Sequence, residues 1–413
     1  MVSDRQVKPL RELCALINRG MAPRYVEQGG VLVLNQRCIR DQRVSLVEAR
    51  RTDDVAKPIP HDRFLQALDI LVNSTGVGTV GRVAQIRELP ERMTVDSHVT
   101  IVRPDAGSVF PLYLGFALRQ CQRTIESLAE GSTGQTELSR ARLAGIEIPT
   151  PNEHDQRAIA HTLSALDDKI ELNRRMSATL EAAAHAIFNS WFVEFDPVHA
   201  KAEGRAADLP RHLVDLFPDA FEESEVGKIP RGWVIRPLGE LVELAYGKAL
   251  KEEDRRPGPV PVFGSNGQVG WHREALASGP GIVVGRKGNP GTITWAPVDF
   301  FCIDTTFYVI PKEQARSLHF LFYALSALRL ESLGADSAVP GLNRNIAYRS
   351  KLLVPQTLIL DGFDRIARPL FQRVHHFEEQ NRTLASLRDA LLPKLISGEL
   401  RVTDAKRFLG AGD

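Results

Sequence analysis

The chain has 413 residues, 43% of them hydrophobic and 25% charged, with a formal net charge of +1; this composition excludes a disordered chain and leaves room for two to four domains. Its four cysteines, Cys14, Cys38, Cys121 and Cys302, form no CxxC pair, so neither a zinc ribbon nor a disulfide framework is indicated, and a reducing, cytoplasmic setting is expected. The opening MVSDRQVKPL lacks an apolar signal core, and no apolar run reaches the roughly 20 residues of a membrane helix, so a soluble protein is expected.

Near-neutral charge argues on its face against a nucleic-acid binder, yet the average conceals a patchwork. Residues 1–51 hold about ten basic against about five acidic residues, and 194–228 hold about nine acidic against four basic. Local basic faces stand open beside the plainer reading of scattered solvated charge.

In chain order, a start segment PLREL (9–13) and a polar stretch LNQRCIRDQR (34–43) lead to ILVNSTGVGTVGRVA (70–84), an apolar run entering the letters GxGxxG. A dinucleotide site needs a helix opening at the third glycine and an acidic residue about 20 positions on. Here Arg82 to Ile86 alternate like a strand and Pro90 follows, so a strand-turn-strand element is expected and a cofactor loop is not. VDSHVTIVRP (95–104) and GSTGQTELSRARLAGIEIPTP (131–151) complete the first module. Ile159, Leu163, Leu166 and Ile170, then Leu180, Ala184, Ile187 and Trp191, step by four and three residues; they predict a helix of about 38 residues from Asp155 to Phe192, roughly 57 Å long. Asn173 and Ser177 share this seam, where an Asn fixes register.

Residues 196–232, rich in Pro, Gly and acid, read as a connector with one short helical segment. Their Pro218-Asp219 is followed by Glu225 and Lys228 three apart, which is the wrong spacing for a PD...ExK nuclease. The chain then describes itself again. PLGEL (237–241), GIVVGRKGNPGTITW (281–295), IDTTFYVIPK (303–312) and ADSAVPGLNRNIAYRSKLLVP (335–355) echo the first module at a shift of 205 to 228. On the letters alone, Gly78-Thr79-Val80-Gly81 falls on Gly288-Asn289-Pro290-Gly291, and Gly76 stands outside the repeated turn. A second helical seam follows through Leu370, Val374, Phe377, Asn381, Leu384, Leu391 and Leu395. Two such stripes are buried most simply against each other.

Catalytic signals are missing. There is no GxxxxGK[ST] loop, HExxH, GxSxG or DPPY-like methyltransferase motif. Adjacent His375 and His376 point about 100° apart on a helix and read as a solvated face. The duplicated order implies a recognition scaffold.

Together these features resemble the specificity subunit of type I restriction-modification systems. The shared pieces are LVNSTGVGTVGRVA and VVGRKGNPGTI, the strand ends IEIPTP and LLVP, the helix openings HDQRAIAHTLSALDDKIELNRR and FDRIARPLFQRVHHFEEQNRTL, and the endings AIFNSWFVEFDP and ALLPKLISGEL. The N-terminal module lacks a phrase like that from Glu225 to Trp233. The resemblance implies an α/β (α+β) fold: two similar target recognition domains joined by two long helices in an antiparallel coiled coil, a pseudo-twofold internal repeat. The implied division is a first recognition domain at 1–151, a spacer helix at 152–195, the connector at 196–232, a second recognition domain at 233–356, a spacer helix at 357–402 and a tail at 403–413. It further implies no catalysis and no cofactor in this chain, double-stranded DNA with a bipartite asymmetric site as target, two adenine-methylating modification subunits, and two ATP-dependent restriction subunits as optional partners. S-adenosylmethionine, ATP and Mg belong to those partners. The rival reading is a coiled-coil protein-interaction adaptor without DNA binding.

Base readout favours Arg on guanine and Asn or Gln on adenine. That nominates Asn35, Gln36, Arg37, Arg40, Ser74, Thr75, Thr133 and Gln135 in the first module, and Ser265, Asn266, Arg286, Lys287, Asn343 and Arg344 in the second.

Overall fold

The structure, a computed structural model, describes residues 6–131, 136–206, 209–334 and 341–404. The chain divides into unit 1, residues 1–171 with 381–413, and unit 2, residues 172–380.

Unit 1 begins with Gln6–Pro9 paired antiparallel to Glu147–Thr150, which brings the two ends of the module together. Its main sheet runs in the order Cys14–Arg19, Val99–Pro104, Ile70–Asn73, Val83–Gln85, all antiparallel. Successive side chains of a strand point to opposite faces, and both faces here are covered. Ile70 and Val72 enter a core shared with the helix Pro111–Gln120, while Leu71 enters a second core under a smaller sheet. That is why ILV reads as an unbroken apolar run. The smaller sheet has the order Met93–Val95, Val31–Leu34, Arg50–Thr52, Tyr25–Val26, its first pair parallel.

Unit 2 repeats the plan. Val234–Pro237 pairs with Lys351–Val354, and the main sheet has the order Val242–Tyr246, Thr306–Pro311, Gly281–Gly285, Ile293–Ala296. Ile282 and Val284 face one core and Val283 the other. The smaller sheet has three strands, Gly267–His272, Val260–Gly264 and Phe301–Cys302. Unit 1 alone adds the strand Tyr25–Val26 and the hairpin of Ile39–Arg40 with Arg43–Val44.

The long helices are Glu153–Phe192 and Thr357–Ser397, each about 60 Å at 1.5 Å per residue. The start of one and the end of the other belong to each unit, so within a unit they run antiparallel. In unit 1, Ile159, Leu163 and Leu166 share a core with Leu391, Leu392, Leu395 and Ile396. In unit 2, Ala184, Phe188, Trp191 and Phe192 share one with Ile359, Leu360, Phe363 and Ala367. Each helix therefore packs on both a module and its partner helix. Buried Asn173 donates from Nδ2 to Gln380 Oε1 at 2.7 Å, a polar pairing that a one-residue slip would break.

Two contacts tie module to helix in unit 1. Phe110 N donates to Gln156 Oε1 at 2.8 Å. Asp167 accepts from Arg119 at 2.6 Å and from Arg388 at 2.7 Å, with all three side chains largely buried. In unit 2 the second helix is tied by Asp364, which accepts from Ser317 Oγ and contacts His319 Nδ1, both at 2.7 Å.

The stretch expected to be a connector is instead folded into unit 2. It forms the helices Asp196–Ala202 and Arg211–Val214 and the hairpin Phe221–Ser224 with Gly227–Pro230. Val198, Leu213 and Phe217 lie in the unit's core, and Phe217 meets Trp191 edge-on at 5.0 Å. Surrounding acids and prolines mask these few apolar anchors in the sequence.

Candidate nucleic-acid interface

The repeated glycine turn joins the third and fourth strands of each main sheet, and strand pairing fixes its register. Val99 faces Asn73 in unit 1, and Thr306 faces Gly285 in unit 2. Gly81 N donates to Asn73 O, and Gly291 N to Gly285 O, both at 2.8 Å. Thr75 bridges Glu137 where Lys287 bridges Gly341. Asn73 thus matches Gly285, Thr75 matches Lys287, and Gly76 matches Gly288, with φ of 99° and 82°. The letter alignment is therefore corrected: Gly76 and Gly81 are the repeated pair, and unit 1 carries two extra residues between them. Glycine is required at the second position of both turns. A Cβ on Gly81 would lie 2.9 Å from Glu126 N, and one on Gly291 would lie 2.1 Å from Glu331 N, at φ values near +83°.

In unit 1 the nominated residues separate. Asn35 caps a short helical turn, accepting from Arg37 N at 2.8 Å and donating to Glu48 O at 2.6 Å, so its amide is spent locally. Gln36 reaches the glycine turn, where its Oε1 accepts from Thr79 Oγ1 at 3.4 Å and its carbonyl accepts from Asn73 Nδ2 at 2.9 Å. Arg37 is exposed. Thr75 Oγ1 lies 2.7 Å from His98 Nδ1. Asn35, Gln36, Arg37, Arg50, Tyr25, Asp96 and His98 line one hollow of about 390 Å³, in which Arg50 stacks 3.6 Å over the Tyr25 ring. Burial pushes the Asp96 carboxyl above its usual range, against the His98 amide and ring, which pull it down. Ser74 is a correction: it is fully buried, 2.5 Å from Thr100 Oγ1, and holds strands together out of reach of a base. Arg40 is exposed but does not line this hollow. Its hairpin is held to the first long helix by the Arg43–Glu171 ion pair, and Arg119 donates to Gln42 O at 3.0 Å. Thr133 and Gln135 lie outside the described residues.

In unit 2 the nominated residues converge. Asn266 Oδ1 accepts from Asn289 Nδ2, and a Cβ on Gly288 would stand 3.1 Å from Ser265 Oγ. Exposed Lys287 sits on the bridge to Gly341. Asn343 caps the helix Arg344–Ala347, accepting from Asn345 N at 2.9 Å. Arg286 and Arg344 place their guanidinium carbons 5.0 and 4.8 Å from the ring of Tyr246. Tyr246 escaped the sequence reading: it continues the inward phase of Val242 and Leu244, and that alternation does not show where the core ends.

Burial pushes the thiols of Cys14 and Cys302 up to about 12, so they stay protonated and inert at neutral pH. Among the described residues no group of three or more His, Cys, Asp or Glu is placed to hold a metal ion, and no helix is long and apolar enough to cross a membrane. His376 is exposed as a solvated face requires, but His375 is half-buried, facing Glu378 and Glu379 at 3.9 and 3.6 Å. It lines a cavity of about 530 Å³ with Trp295, Tyr323 and Phe371.

Residues 59–182 and 230–370 match the family described as type I restriction modification DNA specificity domain. A type I restriction enzyme HindI specificity subunit of Haemophilus influenzae is 25% identical, covering 80% of this chain and 86% of its own. A MjaIX specificity subunit of Methanocaldococcus jannaschii is 23% identical, covering 71% and 69%. The crystal structure of an S subunit from M. genitalium superposes with a TM-score of 0.59 at 21% identity, covering 95% of this chain and 96% of that one, which establishes a shared fold.

Proposed function

The chain belongs to the type I restriction-modification DNA specificity family, and from that premise we propose that each unit reads one half of a bipartite, asymmetric duplex target and directs modification there by partner subunits. One observation carries this reading. Both units present polar and cationic side chains beside the same glycine turn, and the family match spans both repeats. A duplicated module suits two separated sites on one duplex. The long helices shared by the units are the natural spacer between half-sites.

On this reading the chain supplies recognition alone. Adenine methylation belongs to two modification subunits using S-adenosylmethionine, and cleavage to ATP- and Mg-dependent restriction subunits. Near-neutral charge is compatible with this division if partners carry much of the phosphate contact and this chain the base contact.

The test is a filter-binding titration of the cognate duplex with Arg286→Ala plus Lys287→Ala. Binding weakens at matched salt with the fold retained; each lost phosphate contact lowers the salt slope by about 1. Unchanged affinity removes the glycine turn of unit 2 from the interface. Mapping of N6-methyladenine across the genome of cells expressing the chain with its methyltransferase returns two half-sites and a fixed gap. A contiguous motif, or none, overturns the bipartite reading.

A further inference from the structure

Tyr246 ends its strand beyond the core. Val242 and Leu244 before it are buried, whereas the tyrosine is 49% exposed and rests edge-on against Phe307 at 5.0 Å. Two guanidinium groups lie over its ring. Arg286 spends one donor on Asp304 O at 3.1 Å, and Arg344 one on Leu244 O at 3.4 Å. Each guanidinium has five donors, and neither has a carboxylate within ion-pair distance among the described residues. Lys287, the next residue along the chain from Arg286, is exposed.

The matching place in unit 1 is different. Arg19 faces Thr100 as Tyr246 faces Phe307, and Arg19 is paired with Glu137 at 2.5 Å and Leu138 O at 2.6 Å. Unit 1 closes this position with an internal ion pair. Unit 2 gathers like charges there, and among the described residues most of their terminal donors have no protein acceptor, which favours an acceptor-rich, electronegative partner arriving from outside.

We infer that Tyr246 is a positioning residue that holds Arg286 and Arg344 as a guanidinium pair reading guanine in the half-site of unit 2. This rests on the DNA-reading function proposed above. Guanine offers O6 and N7 in the major groove to the planar fork of an arginine. A ring beneath that fork fixes its plane while leaving its edge free. A backbone phosphate also accepts from arginine but carries no sequence information, so position-specific loss separates the two.

The experiment maps adenine methylation for the full chain with its methyltransferase, comparing wild type, Tyr246→Phe and Tyr246→Leu. Tyr246→Phe keeps the ring and the wild-type motif. Tyr246→Leu lowers discrimination at a G·C position of one half-site by roughly tenfold, while the other half-site, reporting a folded chain, is unchanged. Unaltered discrimination in Tyr246→Leu overturns the inference, as does an equal loss at all sequences, the mark of phosphate contact or a merely structural ring. Should Tyr246→Leu yield no methylation, Arg344→Lys decides: it keeps the charge and loses the fork, and an unchanged motif overturns the inference. A wild-type chain that directs no bipartite motif removes the premise instead.

Discussion

At the junction between module and long helix, the two units solve one problem with opposite chemistry. Matched strands precede both helices by the same interval, so Asp167 corresponds to Phe371, Arg388 to Ala184 and, on the module helices, Arg119 to Ser326. Unit 1 places a carboxylate between two arginines there. Unit 2 places a phenylalanine among Trp295, Phe322 and Tyr323, with ring centroids 4.8 to 5.9 Å away. The rings gain contact area and ask little of geometry, and they leave the cavity of about 530 Å³ beside them. The ions lose hydration and must be aligned to recover it. The backbone plan is what the repeat preserves; the side chains filling it are free to change as long as the junction is closed.

This contrast can be tested by moving its parts. The largest effect is expected for Asp167→Ala, which strands two buried guanidinium groups and destabilises unit 1 by about 3–5 kcal/mol. Urea unfolding followed by probes in each unit shows it, and an equal response in unit 2 would mean the junction is not local. Next is the triple replacement Arg119→Ser, Asp167→Phe and Arg388→Ala, which imports the solution of unit 2. Exchanging buried ions for apolar groups is often neutral or stabilising by about 1–4 kcal/mol, so the triple variant melts no lower than wild type; a loss like that of Asp167→Ala would show that alignment, and not filling, is essential. The smallest effect is in acid. Burial pushes the Asp167 carboxyl up, but Arg119 and Arg388 pull it further down, so it is held below the usual range. Its contribution is present above the unfolded-chain value of about 3.9 and is lost as pH falls through the folded value. Melting temperature measured from neutral pH downward therefore falls more steeply for wild type than for the triple variant. Parallel curves would remove Asp167 as the cause.

Much of the plan was legible in the sequence because repeats and seams are patterns of period. The duplicated order, the strand-turn-strand elements and the two helices all follow from where apolar residues recur. The glycine register was not legible. Two extra residues in the first turn make Gly78 look like the repeated glycine, and only the pairing of Val99 with Asn73 shows that Gly76 is. Ser74 was nominated as a polar residue beside a turn, but strand alternation buries it against Thr100. Asn35 and Asn343 have the right side chains for adenine, yet both are used as helix caps, a local demand that competes with recognition in any loop leading into a helix. In the second module two nominated cations, Arg286 and Arg344, lie over one ring, and that ring, Tyr246, is the residue its strand pattern disguised as core.

The division of the helices sets an order of assembly during synthesis. Unit 2 is one uninterrupted length of chain, residues 172–380, and is complete once that length has left the ribosome. Unit 1 is begun first but finished last, because its core waits for Leu391, Leu392, Leu395 and Ile396. Domains usually fold from the N-terminus as they emerge. Here the nascent first module must stay competent, its apolar helix seam uncovered, through the translation of the entire second one. A message cut short before residue 391 would release a finished second unit attached to an unfinished first.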